Sequence, residues 1–295
     1  MKATAAFSIG SKLCFQVLMA WVVLVFGSLA FAQPLRVLML DFDDTIMSTT
    51  AKIYVYNKKT GSELGFSTAD FAEAGEVIGK PGPYQDYEFR GPEEIASFRD
   101  FRDQPGRNVF LERMLEAIET RPTHLWQGPS WNDFVEAMST QEGAQTVYIN
   151  TARGNSPRQM LEAFEHLRKL GFFRFGLVYD HLIAVNAPEW KALGLSVEET
   201  KAVAMKRVLD QLQARVESAQ LQSEQRREGK TLRGEFLFVD DDFQNVEKAK
   251  KALEPHLPRW PAVDVRLSYV GRVRPNTDPF TVRLKLATPA CRGIF

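Results

Sequence analysis

Cysteine is almost absent from this 295-residue chain, which has only Cys14 and Cys291. Cys14 falls in the leader described below, so the processed chain would keep a single thiol and no internal disulfide, and its core must hold it together. No base stands beside Cys291 in sequence, which argues against a thiol nucleophile there. Histidine is scarce too, and His124, His166, His181 and His256 show no metal-ligand spacing. Neither a glycine-rich phosphate loop, nor a serine nucleophile elbow, nor a zinc pattern occurs, which removes three common routes to hydrolysis. Excess charge of either sign is missing: 37 basic residues balance 37 acidic ones. No global field therefore steers the protein toward nucleic acid or an anionic membrane. Internal repeats and low-complexity tracts are also lacking.

What is present begins with a leader. Lys2 and Lys12 precede an apolar stretch at 17–26, and Ala30-Phe31-Ala32 follows. Residues 1–32 read as a secretory signal peptide cut before Gln33, which implies a periplasmic or secreted protein. A retained membrane anchor is the alternative, although the apolar run falls short of the roughly 20 residues of a span. Once processed, the chain is not expected to stay on a membrane. With 44% hydrophobic residues it has ample core material for one large domain at 33–295.

Short apolar runs alternate with helical patterns along that chain. Val37-Leu38-Met39-Leu40 is too short for a helix and has no polar break, so it reads as a strand buried on both faces. Segment 51–68 alternates around Gly61 and predicts a β-hairpin. Segment 71–101, broken by glycine and proline and rich in aromatics, predicts an irregular lid and no helix. Helices are expected at 108–119 and 131–138, a second buried strand at 146–150, and a helix at 156–171 with Ser156 and Gln159 as a capping box. A third strand is expected at 175–185, then a long helix from Ser196 to about Ala219. A fourth strand is expected at 235–239, with later strands at 265–270 and 282–286. Strands alternating with helices predict an α/β fold: a Rossmann-like, mostly parallel sheet with helices on both faces and an insert at about 51–105.

Two of these strands end in acids: Asp41, Asp43 and Asp44 after the first, Asp240, Asp241 and Asp242 after the fourth. Carboxylates crowded at the carboxyl edge of a parallel sheet repel one another unless a cation or donors compensate, which predicts a metal site.

Together the strand ends resemble the haloacid dehalogenase superfamily of phosphatases and phosphotransferases. The match comprises Asp41-Phe42-Asp43-Asp44-Thr45, Thr151, a lysine, and Asp240-Asp241 with Asn245, and it spans residues 37–249. The resemblance implies that Asp41 is the nucleophile of an aspartyl-phosphate mechanism and that Asp43 serves as general acid and base. It implies that Thr151 holds a phosphoryl oxygen and that Mg²⁺ is bound by Asp41, the backbone carbonyl of Asp43, and Asp240 and Asp241. Asp241 is favoured as the direct ligand, with Asp240 or Asn245 orienting water. Asp242 is expected to be solvated and Asp44 to shape the turn.

Two residues need a choice. The lysine is Lys201 or Lys206; Lys201 is preferred because helical spacing puts it on the stripe of Met205, Val208 and Leu212. Arg153 reads either as a phosphate contact or as a member of a surface ion pair. The insert aromatics either stack on a substrate ring or pack the insert's own core. Arg266, Arg272, Arg274, Arg283 and Lys285 make the tail locally basic. The expected activity is that of an exported Mg²⁺-dependent phosphoric monoester hydrolase on a phosphorylated small molecule. The alternatives are a nucleotidase or polynucleotide phosphatase, and a non-catalytic metal- and phosphate-binding module.

Overall fold

The computed structural model describes residues 34–91, 96–226, 231–271 and 279–284. Residues 1–32, read above as a leader, lie outside the described residues, as do both cysteines, Arg272, Arg274 and Lys285.

Among the described residues the fold is α/β, built on a six-stranded sheet with strand order β6-β5-β1-β7-β8-β9. These strands are β1 (Leu35–Leu40), β5 (Val147–Thr151), β6 (Leu182–Ala184), β7 (Gly234–Asp240), β8 (Val263–Tyr269) and β9 (Phe280–Leu284). All neighbours pair in parallel except β8 and β9. Helices cover both faces, as expected for a Rossmann-like sheet.

β1 shows why this short run is the centre. Its alternation sends Leu38 and Leu40 to one face and Val37 and Met39 to the other, and each pair joins a different apolar core. On the first face lie α2 (Val109–Thr120), α3 (Trp131–Ala137) and α4 (Pro157–Lys169); on the second lie α5 (Val197–Gln225) and α6 (Phe243–Leu253). With water excluded from both faces, a residue such as Met39 is worth about 2–5 kcal/mol against alanine.

The chain runs outward from β1 through β5 to β6, then returns to the other side of β1 for β7. The strand order therefore reverses between β1 and β7, and ligands of open α/β sheets bind at that crevice. Register fixes what stands there. Leu40 pairs with Val239, so Asp41 and Asp240 emerge side by side; the Asp41 amide donates to the Val239 carbonyl at 2.9 Å.

The insert is more regular than its sequence predicts. β2 (Ile53–Asn57), β3 (Glu63–Phe66) and β4 (Tyr87–Glu88) form a second, antiparallel sheet in the order β3-β2-β4. The hairpin 51–68 is present, but α1 (Thr68–Ala74) follows it where an irregular lid was expected. Ser67 and Asp70 cap that helix reciprocally, a Ser-x-x-Asp signature hidden by the hairpin before it.

Three further expectations change. The strand expected at 175–185 is reduced to Leu182–Ala184, which pairs only with Ile149–Thr151, the second half of β5. Just before Leu182 a 3₁₀ turn takes over, and a His181 ring nitrogen meets the Val147 carbonyl at 3.1 Å. Only half of the Ser156 capping box forms: Ser156 accepts from the Gln159 amide, while its own amide donates to Asp103 rather than to Gln159. Helix α5 runs on to Gln225, beyond the expected Ala219.

Candidate active site

Four backbone segments converge at the carboxyl edge of β1 and β7. The turn after β1 carries Asp41, Asp43 and Asp44; β7 ends at Asp240 with Asp241 next; β5 ends at Thr151 with Arg153 beyond it; α5 supplies Lys201. Asp44 adopts a left-handed conformation (φ 56°), and its carboxylate accepts from Ser48 Oγ at 2.6 Å and from Thr68 Oγ1. It holds the turn and ties it to α1, the role expected of it.

Lys201 is 2% exposed, on the stripe with Met205, Val208 and Leu212. Its ammonium donates to Asp41 Oδ1 and Asp240 Oδ2, each at 2.8 Å. An amine on an apolar helix face is tolerable only with such partners. Burial alone would lower its pKa, but Asp240 and Asp41 outweigh burial and raise it. Lys206, partly exposed, turns away from this stripe.

Asp240 is fully buried and heavily engaged. Besides Lys201 it accepts from Asn245 Nδ2 at 3.1 and 3.2 Å and from the Asp242 amide at 2.9 Å. Thr45 fixes Asp241 from two sides: its hydroxyl donates to Asp241 Oδ1 and accepts from the Asp241 amide, both at 3.0 Å. Asp242 is not simply solvated, because it caps α6 through the Gln244 amide.

Arg153 requires a correction. It is neither on the surface nor directed at a phosphate; its side chain is wholly buried. Its fork donates to both oxygens of Asp43, Nε to Oδ2 at 2.9 Å and Nη2 to Oδ1 at 2.7 Å. The remaining donors go to Thr49 Oγ1, the Asp100 carbonyl and Asn155 Oδ1. All five N–H groups of the guanidinium are thereby used, and Phe42, Phe101 and Phe110 surround it.

The acids carry the strain of this crowding. Burial pushes the Asp41 carboxyl up to about 8; Lys201 opposes the shift, while Asp240 and Asp43 add to it. Burial also raises Asp43 against the pull of Arg153. Asp241 is pushed well above the usual carboxylate range by burial, then by Asp240, Asp41 and Asp44.

Asp41, Asp240 and Asp241 each offer an oxygen within 4.8 Å of the others. Three carboxylates facing one ammonium, two of them with raised pKa, form a hard oxygen donor set short of positive charge. That set suits a divalent cation such as Mg²⁺. The Asp43 carboxylate is not part of it, being held by Arg153, which leaves only its carbonyl for the metal.

Above these acids opens a cavity of about 600 Å³. Thr151 and Lys201 share its floor with the acids; Thr68, Phe71 and Glu76 of the insert, with Phe98 and Phe101, form the opposite wall. Thr151 Oγ1 accepts the Arg153 amide at 3.3 Å. Sequence reasoning missed Thr45 as the Asp241 clamp, Thr49, and the buried Asp100, which accepts from the Lys52 amide and pairs with Arg113. Only the Asp-x-x-x-Thr spacing of 41–45 hinted at the first.

Arg266 and Arg283 of the basic tail both pair with Asp264, at the amino-terminal end of β8 and the edge of the sheet opposite Asp41. Comparison of the chain with protein-family models, with curated proteins and with solved structures finds no match in any of the three.

Proposed function

We propose that this chain is an exported member of the haloacid dehalogenase superfamily, hydrolysing phosphoric monoesters through an aspartyl-phosphate. The observation that carries the reading is the Lys201 ammonium bridging Asp41 and Asp240 at the strand-order reversal, beside an Asp43 held by a buried arginine. A merely structural ion pair needs one acid; here several converge on the floor of one cavity.

In this reading the Asp41 carboxylate attacks phosphorus while the ester P–O bond breaks, and Asp43 gives its proton to the departing oxygen. Asp43 then takes a proton from water as the water oxygen attacks phosphorus. The bond to Asp41 breaks, releasing phosphate and restoring both acids. The raised pKa of Asp43 suits a group that must be protonated in the first step. Lys201 opposes protonation of Asp41 and offsets phosphoryl charge, and the Thr151 hydroxyl donates to a phosphoryl oxygen. Mg²⁺ held by Asp41, Asp240, Asp241 and the Asp43 carbonyl supplies, when bound, Lewis-acid stabilisation of the phosphoryl charge.

The test is hydrolysis of p-nitrophenyl phosphate with Mg²⁺ by the processed chain and by Asp41→Asn. Turnover lost in the variant supports the mechanism; equal rates refute it. Beryllofluoride with Mg²⁺ raising the melting temperature without any turnover would favour a binding module instead. Export is checked by mass spectrometry of secreted material, expected to begin at Gln33; Met1 intact in the membrane fraction would overturn it.

A further inference from the structure

The cavity is built of two unlike halves. Its floor is charged, whereas Phe71 and Phe98 present aromatic surface from the opposite wall. These rings are held by one another and by Phe89 behind them: Phe71 meets Phe98 edge-on at 6.2 Å and 88°, and Phe89 stacks on Phe98 at 5.7 Å and 18°. Phe71 and Phe89 meet at 5.9 Å and 77°. Packing the insert and walling the cavity are thus done by the same rings. A volume of about 600 Å³ is of small-molecule size, well beyond a phosphoryl group alone.

The charge of the walls is the second, independent observation. Among the described residues lining the cavity are eight carboxylates and three cations, and one of the eight, Glu198, is paired with Lys248 from outside the lining. Lys201 and Arg153 are committed to Asp41, Asp240 and Asp43, and Arg102 donates to the Asn186 carbonyl at 3.3 Å. Away from the floor, Glu198 lines the cavity but is paired with Lys248 at 3.1 Å, whereas Glu76 lines it from an exposed position, so a second anion beside Glu76 meets a carboxylate. The basic residues that favoured a polymer, Arg266 and Arg283, are spent on Asp264 at the other edge of the sheet.

We propose that the substrate is a small phosphate monoester with one phosphoryl group on an uncharged, ring-bearing leaving group, and that anionic polymers are excluded. This rests on the phosphatase reading of the same site and names its substrate class. Rings are selected by the Phe71 and Phe98 surface, and additional anions are rejected by the acidic wall.

The test uses calorimetry on the Mg²⁺-loaded chain with phenylphosphonate, methylphosphonate and 4-carboxyphenylphosphonate, which cannot be hydrolysed. The phenyl compound is expected to bind about tenfold more tightly than the methyl one. The added carboxylate is expected to weaken binding about fivefold. Phe71→Leu, which keeps apolar volume and removes the ring, is expected to narrow the phenyl-to-methyl ratio, and Glu76→Gln, at an exposed position, to recover part of the loss caused by the carboxylate. Turnover of phenyl phosphate, glycerol 2-phosphate and a 3′-phosphorylated oligonucleotide completes the test. Equal affinity for phenyl and methyl, or the oligonucleotide as best substrate, overturns the inference while leaving the phosphatase reading intact. Failure to hydrolyse any ester, with Asp41→Asn changing nothing, brings down the reading and the inference with it.

Discussion

Arg153 grips Asp43 through two parallel N–H···O contacts of 2.9 and 2.7 Å, from a guanidinium with no exposed surface. A fork against a carboxylate fixes both the position and the plane of the acid. The remaining donors hold Thr49 and the Asp100 carbonyl, so Asp43 is anchored to the start of the insert as well as to the sheet.

Removing that grip is expected to be costly. Arg153→Met leaves a buried Asp43 without its cation, and loss of one partner of such a pair costs about 3–5 kcal/mol. Arg153→Lys keeps the charge but not the fork and is expected to fall in between. Denaturant melts check the stability. Without the Arg153 pull the Asp43 pKa rises further, so the acidic limb of the pH–rate profile for dephosphorylation is expected to move to higher pH.

The metal-free chain is expected to lose stability as pH rises. The Asp41 carboxyl is raised from 3.8 to about 8, so the folded chain binds its proton more tightly than the unfolded chain does. Stability is then greatest near or below pH 4 for this group and declines up to about pH 8; Asp241, shifted in the same direction, adds to the trend. Mg²⁺ competes with those protons, so its stabilising shift in melting temperature should be larger at pH 8 than at pH 6. Scanning fluorimetry with and without EDTA measures both.

Asp41→Asn separates catalysis from stability. Turnover is expected to vanish, yet the metal-free variant should melt no lower than the parent at pH 8, because a buried like charge is gone and Lys201 keeps Asp240. Parallel assays of p-nitrophenyl phosphate hydrolysis and thermal unfolding check the two halves.

Lys201→Met leaves Asp41, Asp240 and Asp241 with no ammonium among them. A loss of about 3–5 kcal/mol is expected at pH 8 without metal, with partial rescue by Mg²⁺. Lys206→Met, on the partly exposed side of α5, should stay within about 0.5 kcal/mol. Equal effects of the two would contradict the placement of Lys201 on the floor of the cavity.

Local pattern made the core of the fold legible. Four apolar residues ending in acids can be read as a buried strand without knowing its neighbours, and the 3.6-residue stripe distinguished Lys201 from Lys206. The 175–185 strand misled because apolar content does not say how much of a segment pairs with its neighbour. Helix α1 escaped because seven residues carry too little periodicity to stand out among glycines.

The sequence by itself determined the parallel α/β sheet, the acidic strand ends and the apolar stripe carrying Lys201, because these depend on periodicities of two and 3.6 over a few residues. Tertiary structure alone decided that β7 pairs with β1, that Asp240 meets Lys201, and that Arg153 serves Asp43 rather than a phosphate. Asp43 and Arg153 are 110 positions apart. A guanidinium is committed by whichever acceptors close around it after burial, and no local spacing encodes that choice.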